Sequence, residues 1–468
     1  MKNTSQRDRF GIDWRSILNQ RPGTLFWQRP HLSRRVLFRH LGAGVGGYFL
    51  LPSRHGESSA LAASPIGKAK NVIFIQLNGG ISHIDSFDLK EGEWTPAGFE
   101  PESYGSIRWP RGILPTIAGQ LDSVALVRSV RSWAAVHQLA RDWVQIARNP
   151  TSSTARIAPH IGSVASLELA APNAVLPAFL ALNAGTGIPS QGYFPPAHAP
   201  FLLNPNGNGL DNTVHRDGAD TFGRRYELLL NMDAEENDNA TLGITSRETA
   251  QFNQSARLLM YNSTVDEAFR FEADERQRYG STGFGNACLT ARNVLRAGLG
   301  ARFIQITSGG WDNHANIYTT AFNTANANAL VRQLDRGLGN LLADLKADGL
   351  LDQTLVLCMG EFGRTVGRVN AQAGRDHFLQ QSALFAGAGI RGPKVIGSTN
   401  AAGSATGEPG WGRDRDVRPE DIAATLYSAL GIDWTTVRRD DPLKRGFEYI
   451  PFAAAQDLYG PIHELWNE

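Results

Sequence analysis

The chain is poor in cysteine and methionine, nearly neutral, and without an apolar run long enough to span a bilayer. Among 468 residues there are two cysteines, Cys288 and Cys358, and four methionines. Two widely separated thiols form no disulfide framework and no cysteine metal site, so they leave the redox compartment open. The apolar stretch Leu41 to Leu51 is rich in glycine and too short for a comfortable membrane helix. The formal charge is +1, and residues 1–63 hold ten of the 46 basic side chains but only three of the 45 acidic ones. The remainder is therefore net acidic. No basic stripe is left to neutralise phosphates, which argues against a nucleic-acid partner.

What the chain does have is apolar surface and glycine: 42% of residues are hydrophobic, 19% are charged, and 49 are glycine. This suits one large α/β domain with insertions as well as two or three average domains. Near the start, Ser33-Arg34-Arg35 precedes the Leu41 to Leu51 run, and Ala60-Leu61-Ala62 supplies the small residues a signal peptidase prefers. Together they resemble a twin-arginine export leader over residues 1–63, with the twin-arginine machinery as partner and a periplasmic or secreted location for residues 64–468. The plain alternative is a basic tail carrying a small hydrophobic helix.

The strongest pattern lies between Phe303 and His377. Phe303 to Thr307 reads as a buried strand that runs into Gly309-Gly310-Trp311-Asp312-Asn313-His314, and Thr354 to Met359 as another that ends in Gly360-Glu361-Phe362-Gly363-Arg364-Thr365. Between them Leu330, Leu334, Leu338, Leu341, Leu342 and Leu345 recur at helical spacing over 324–347, closed by Asp348-Gly349. A strand-helix-strand unit implies parallel strands with their C-terminal ends on one edge, where open α/β sheets bind ligands. Asp312, His314 and Glu361 should converge there, and Gly374-Arg375-Asp376-His377 could add a further donor.

Elsewhere, Asn71 to Leu77 predicts the first core strand, ending in Asn78-Gly79-Gly80-Ile81-Ser82-His83-Ile84-Asp85. Ser123 to Val130 predicts a second strand, followed by a helix over Ala134 to Ala147 with His137 in its first turn. Residues 172–218, rich in Pro, Asn and Gly, read as an excursion of loops. Residues 247–299 read as mainly helical, Ser382 to Ala386 and Lys394 to Ile396 as short strands, and Pro419 to Leu430 as a helix.

A carboxylate with an imidazole suits zinc, manganese or iron better than calcium, whose shell is all oxygen. Asp312 and His314, one residue apart at a strand terminus, can meet one ion if the backbone turns. Glu361 sits just past a buried run, where a carboxylate must be balanced by a cation or by an arginine. Arg364 is either that arginine or a ligand for an anionic substrate group, and Arg375 is open to the same two readings. His83 or Asp85 could complete a metal shell. Ser82 is a nucleophile or a hydrogen-bond donor, and His137, taken alone, reads as structural.

In this order the motifs resemble the bacterial family known as domain of unknown function 1501. It falls in the alkaline-phosphatase-like superfamily with sulfatases and cofactor-independent phosphoglycerate mutases. The resemblance implies a three-layer αβα sandwich with a mostly parallel sheet, and one or two divalent ions, zinc or manganese, at its C-terminal edge. Asp312 and His314 are similar to the pair that binds one ion, Glu361 takes the place of the Asp in an Asp-His pair, and His377 that of the final His. Asn78, Phe362 and His137 depart from the superfamily's usual Asp, His and nucleophile. The implied activity is hydrolysis of phosphate or sulfate esters, on a small molecule or a polysaccharide, by ion-activated water. His137 would be a ligand or proton-transfer group, Arg364 or Arg375 would steady the anionic transition state, and Ser82, Ser129 and Ser132 stand as fallback nucleophiles. The alternative is a non-catalytic exported binding or assembly protein that keeps the fold.

Overall fold

Alternation along Asn71–Leu77 (β1) divides the core in two. Ile73, Ile75 and Leu77 face one layer while Val72 and Phe74 face the other, and all five are fully buried. The computed structural model describes residues 64–468 apart from 173, 186, 240–243 and 468, and residues 64–468 form one compact unit. The export leader read in residues 1–63 lies outside the described residues.

The remaining strands of the main sheet are β2 (Val124–Arg131), β3 (Phe179–Leu182), β4 (Phe201–Leu203), β5 (Phe303–Ser308), β6 (Thr354–Gly360), β7 (Gln380–Gly387) and β8 (Lys394–Ile396). Their order is β8-β2-β7-β6-β1-β5-β3-β4. All run parallel except β7, which is antiparallel to both β2 and β6. The main helices are α1 (His137–Ile146), α2 (Ile161–Leu169), α3 (Gly218–Asn239), α4 (Ile244–Leu259), α5 (Gly283–Arg296), α6 (Leu330–Ala347) and α7 (Pro419–Ala429). Helices α5 and α6 cover the Ile73 face, and α1, α2 and α7 cover the Val72 face. The three-layer αβα sandwich with a mostly parallel sheet is therefore the observed architecture. No helix among the described residues is long and apolar enough to cross a membrane.

Helix α6 owes its place to Leu334, Leu338, Leu341, Leu342 and Leu345, all fully buried on one stripe, each worth on the order of 2 kcal/mol. It starts at Leu330 rather than 324, because the Asn323 and Asn326 side chains accept backbone N–H groups of residues 325, 326 and 328 and hold a turn there. Helix α1 likewise begins only at His137. Helix α7 has Pro419 in its first turn, and the Asp421 carboxylate accepts the Arg418 N–H at 2.9 Å.

The excursion expected over 172–218 contains β3 and β4, which extend the sheet beyond β5. Three and four residues framed by Pro and Asn carry no readable period; parallel pairing with a buried neighbour defines them. Helix α3 lies upstream of the helical region anticipated from residue 247.

Candidate functional site

Strands β5 and β6 both pair with β1 and flank it, so the segments that follow all three leave the sheet side by side. Asn78-Gly79 follows β1, Asp312 and His314 follow β5, and Glu361 follows β6. His377 arrives on a two-residue strand paired antiparallel to Gly363–Arg364, with His377 opposite Arg364. His137 opens α1. The approach is close enough to require glycine: a Cβ on Gly79 (φ 110°) would lie 2.4 Å from the Asp312 nitrogen. The loops after β5 and β6 are also laced together, Arg375 N–H to the Asn313 carbonyl at 3.0 Å and the Asn370 amide to the His314 carbonyl at 3.1 Å.

Four side chains converge at this rim. One ligand atom each from His137, Asp312, His314 and His377 lies within 4.8 Å of all the others, a group that could hold a metal ion. His314 Nε2 is 3.0 Å from His377 Nε2 and 3.0 Å from Asp312 Oδ1; His377 Nε2 is 3.3 Å from the same oxygen, and His137 Nε2 is 3.2 Å from Asp312 Oδ2. Around a tetrahedral zinc with ligands at about 2.0–2.1 Å, neighbouring ligand atoms stand about 3.3 Å apart, so the spacing fits.

The tautomers point the same way. His377 Nδ1 donates to the Ala135 carbonyl at 2.9 Å, His314 Nδ1 faces Asp376 Oδ1 at 2.6 Å, and His137 Nδ1 faces Glu361 Oε1 at 3.0 Å. With each Nδ1 proton committed to an oxygen, each Nε2 is left as a lone pair aimed inward. Two bare nitrogens at 3.0 Å repel unless a proton or a cation lies between them. His137 Nε2 and Glu361 Oε2 are both buried without a hydrogen-bond partner, as is Asn78 Oδ1 after β1. The residues present therefore fit a divalent ion.

Arg364 controls the charge of Asp312. Burial alone would raise that carboxyl, but the Arg364 hydrogen bond and charge, with His137 and His377, outweigh it and hold the pKa at about 2. The contact, Arg364 Nη2 to Asp312 Oδ1, is 2.6 Å.

Both arginines differ from their expected role on substrate. Arg364 is fully buried, does not meet Glu361, and gives its other N–H groups to the carbonyls of Gly79, Gly80, Trp311 and Arg375. Arg375 is equally buried, and bonds Asp85 at 2.7 Å, the Tyr318 hydroxyl at 2.9 Å, and the Thr365 and Gly367 carbonyls at 2.8 and 2.7 Å. Neither guanidinium presents a face to an incoming anion.

Asp85 is accordingly an internal counter-ion rather than a metal ligand, accepting from Arg375, Tyr318 at 2.8 Å and Ser82 at 2.5 Å. Ser82 spends its proton there and is buried, so it is not poised as a nucleophile. His83 stands apart from the cluster, its Nε2 on the Gly403 carbonyl at 2.8 Å, and burial lowers its pKa. Ser129 donates to the Pro409 carbonyl and Ser132 to the Glu361 carbonyl at 2.7 Å. Glu361 backs His137 with one oxygen, which also accepts the Gly79 N–H at 2.8 Å.

Asp376 and the Ala135 carbonyl, which fix the His314 and His377 rings, were not singled out in the sequence. Asp376 was legible only as the carboxylate next to a candidate histidine. A backbone carbonyl carries no sequence signal.

An αβα sandwich with a histidine-carboxylate cluster at the C-terminal rim of its sheet is thus the class of protein that fold and site define. The chain belongs to the family described as protein of unknown function (DUF1501), whose model matches residues 69–441. No curated protein matches it. Similar solved structures include Ps i-CgsB in complex with k-i-k-neocarrahexaose, at 13% identity over 85% of this chain and 77% of that one, with a TM-score of 0.40. They also include PsFucS1 sulfatase from Pseudoalteromonas sp., at 14% identity over 86% and 72%, TM-score 0.39. Phosphonate monoester hydrolase SpPMH from Silicibacter pomeroyi is a third, at 11% over 83% and 77%, TM-score 0.35.

Proposed function

We propose that this protein is an exported hydrolase of phosphate or sulfate esters that works with one divalent ion, zinc or manganese. The observation that carries the reading is the set of three imidazoles whose Nδ1 atoms are held by oxygens while their Nε2 atoms converge on Asp312. The ester class comes from the likeness of the motifs to the alkaline-phosphatase-like superfamily, and export from the paired arginines and small-residue site in residues 1–63.

In this reading Asp312, His314 and His377 hold the ion, and a catalytic site with three protein ligands keeps a position open. A divalent ion there supplies Lewis acidity toward an ester oxygen and lowers the pKa of water. Asp376 and the Ala135 carbonyl orient two of the rings, and Arg364 keeps Asp312 ionised. His137 stands apart because a buried carboxylate, Glu361, backs it. That arrangement suits an imidazole that takes up and returns a proton at Nε2. The Phe362 ring packs against His137 and His377, with centroids 5.0 and 4.5 Å away. By the family resemblance it stands where a second histidine ligand would be expected, and a phenyl ring offers no donor to an ion.

A second reading, a binding protein that keeps the ion without turnover, is favoured by one observation: Ser82, Ser129 and Ser132 all have their hydroxyls engaged away from the cluster. Elemental analysis of protein purified after native export, with a panel of phosphomonoester, phosphodiester and sulfate ester substrates, separates the two. Close to one ion per chain and turnover lost in both Asp312→Ala and His314→Ala would support the hydrolase. Full occupancy with no turnover on any ester would leave the binding protein.

A further inference from the structure

A cavity of about 670 Å³ lies at the edge of the sheet opposite the cluster, within the size range of small-ligand pockets. Leu176 and Pro177 in its wall lead into β3, and Phe201 opens β4. Strand β4 runs parallel to β3 and β3 to β5. These residues therefore mark the N-terminal rim, whereas Asp312 follows β5 at the C-terminal one. Helix α4 supplies the facing wall. Glu248, Phe252 and Ala256 fall at i, i+4 and i+8, with Leu259 at i+11, so a single face of the helix is turned to the cavity.

Charge selects the occupant. The lining is mostly apolar and contains no Lys or Arg, yet it holds the partly buried carboxylate of Glu248. Among the described residues that carboxylate has neither a hydrogen bond nor an ion pair. The other titratable side chain in the wall, His198, is neutral: its Nδ1 meets the Ser166 hydroxyl at 3.1 Å, and burial lowers its pKa. Arg438, whose charge also acts on His198, is held by Asp440 at 3.0 Å. A carboxylate among apolar walls is costly unless a cation balances it, and aromatic lining favours the same sign of charge. We propose that this cavity binds an organic cation, an amine or quaternary ammonium carried on an apolar body, with Glu248 as its counter-ion. The site stands apart from the ester chemistry proposed for the other rim.

Isothermal titration calorimetry of the full chain tests this with decylammonium, decanol and decanoate, which share one chain and differ in head group, each kept monomeric in solution. Decylammonium should bind saturably, one per chain, with decanol about tenfold weaker and decanoate weaker again. Glu248→Gln should bring decylammonium down to the affinity of decanol and leave decanol unchanged. Ala256→Trp, which fills the cavity from the α4 side, should abolish binding of both, with far-UV circular dichroism to confirm that each variant folds. The absence of saturable decylammonium binding would overturn the proposal. So would a cation preference that survives Glu248→Gln, or decanol or decanoate binding as tightly as the cation. Decylammonium binding retained in a folded Ala256→Trp protein would place the amine elsewhere and overturn it as well.

Discussion

If Arg375 holds the fold together and does not meet substrate, removing it should cost stability first. It is fully buried, and its N–H groups bond Asp85, Tyr318 and two carbonyls. Arg375→Met keeps most of the volume but leaves Asp85 as a buried charge with only hydroxyl donors. Breaking a buried pair from one side costs about 3–5 kcal/mol. A domain of about 400 residues unfolds with an entropy of roughly 0.85 kcal/mol per degree, so the midpoint should fall by about 5 °C. Asp85→Asn should cost a similar amount by stranding the guanidinium. The double variant should cost clearly less than the sum, because removing both charges removes the desolvation penalty with them. Scanning calorimetry at matched scan rates reads all four proteins, with metal content measured alongside. An Arg375→Met protein that melts within a degree of wild type but loses turnover would refute the reasoning and return this arginine to the substrate. Strict additivity in the cycle would also refute it.

Three further outcomes are expected. Asp376→Ala, at an exposed position, should lower metal affinity 10- to 100-fold by freeing the His314 ring, measured by competition with a chromophoric chelator; an unchanged affinity would deny it that role. Burial would raise the Asp344 carboxyl, but hydrogen bonds from Arg278, Arg292 and Tyr279 prevail and hold it below the ordinary carboxylate range. Asp344→Asn should therefore cost about 2 kcal/mol near neutrality, a difference present above the ordinary carboxylate pKa and fading as pH falls through the depressed one; denaturant melts across pH 2–7 would check that sign. Gly79→Ala, with no room beside the Asp312 nitrogen, should lose about 1–3 kcal/mol and reduce metal occupancy in elemental analysis, whereas an occupied, wild-type-like melt would show that the Asp312 loop can shift.

Much of this protein is dictated locally. Apolar runs that stop at Asn78, Asp312 and Glu361 marked β1, β5 and β6 with their direction, because a parallel strand buried on both faces must be apolar throughout and its polar residues can begin only at its end. The leucine stripe of α6 and the Asp348-Gly349 stop are equally local. So was the identity of Asp312, His314 and His377 as a candidate set.

Partnership was another matter. Nothing in the sequence distinguishes Arg364 or Arg375 from an arginine that meets substrate, since only tertiary structure shows which guanidinium has its donors consumed by carbonyls brought in from three loops. His137 looked like an ordinary helix-start histidine until the order of strands set Glu361 behind it. Asp85 and His83 carry the right chemistry for a metal shell, yet a 3₁₀ turn over 83–85 directs them to Arg375 and Gly403 instead. A sequence determines which groups exist and where strands end; which atom faces which is decided when segments hundreds of residues apart are packed onto one rim, since hydrogen bonds and desolvation act through space and not along the chain.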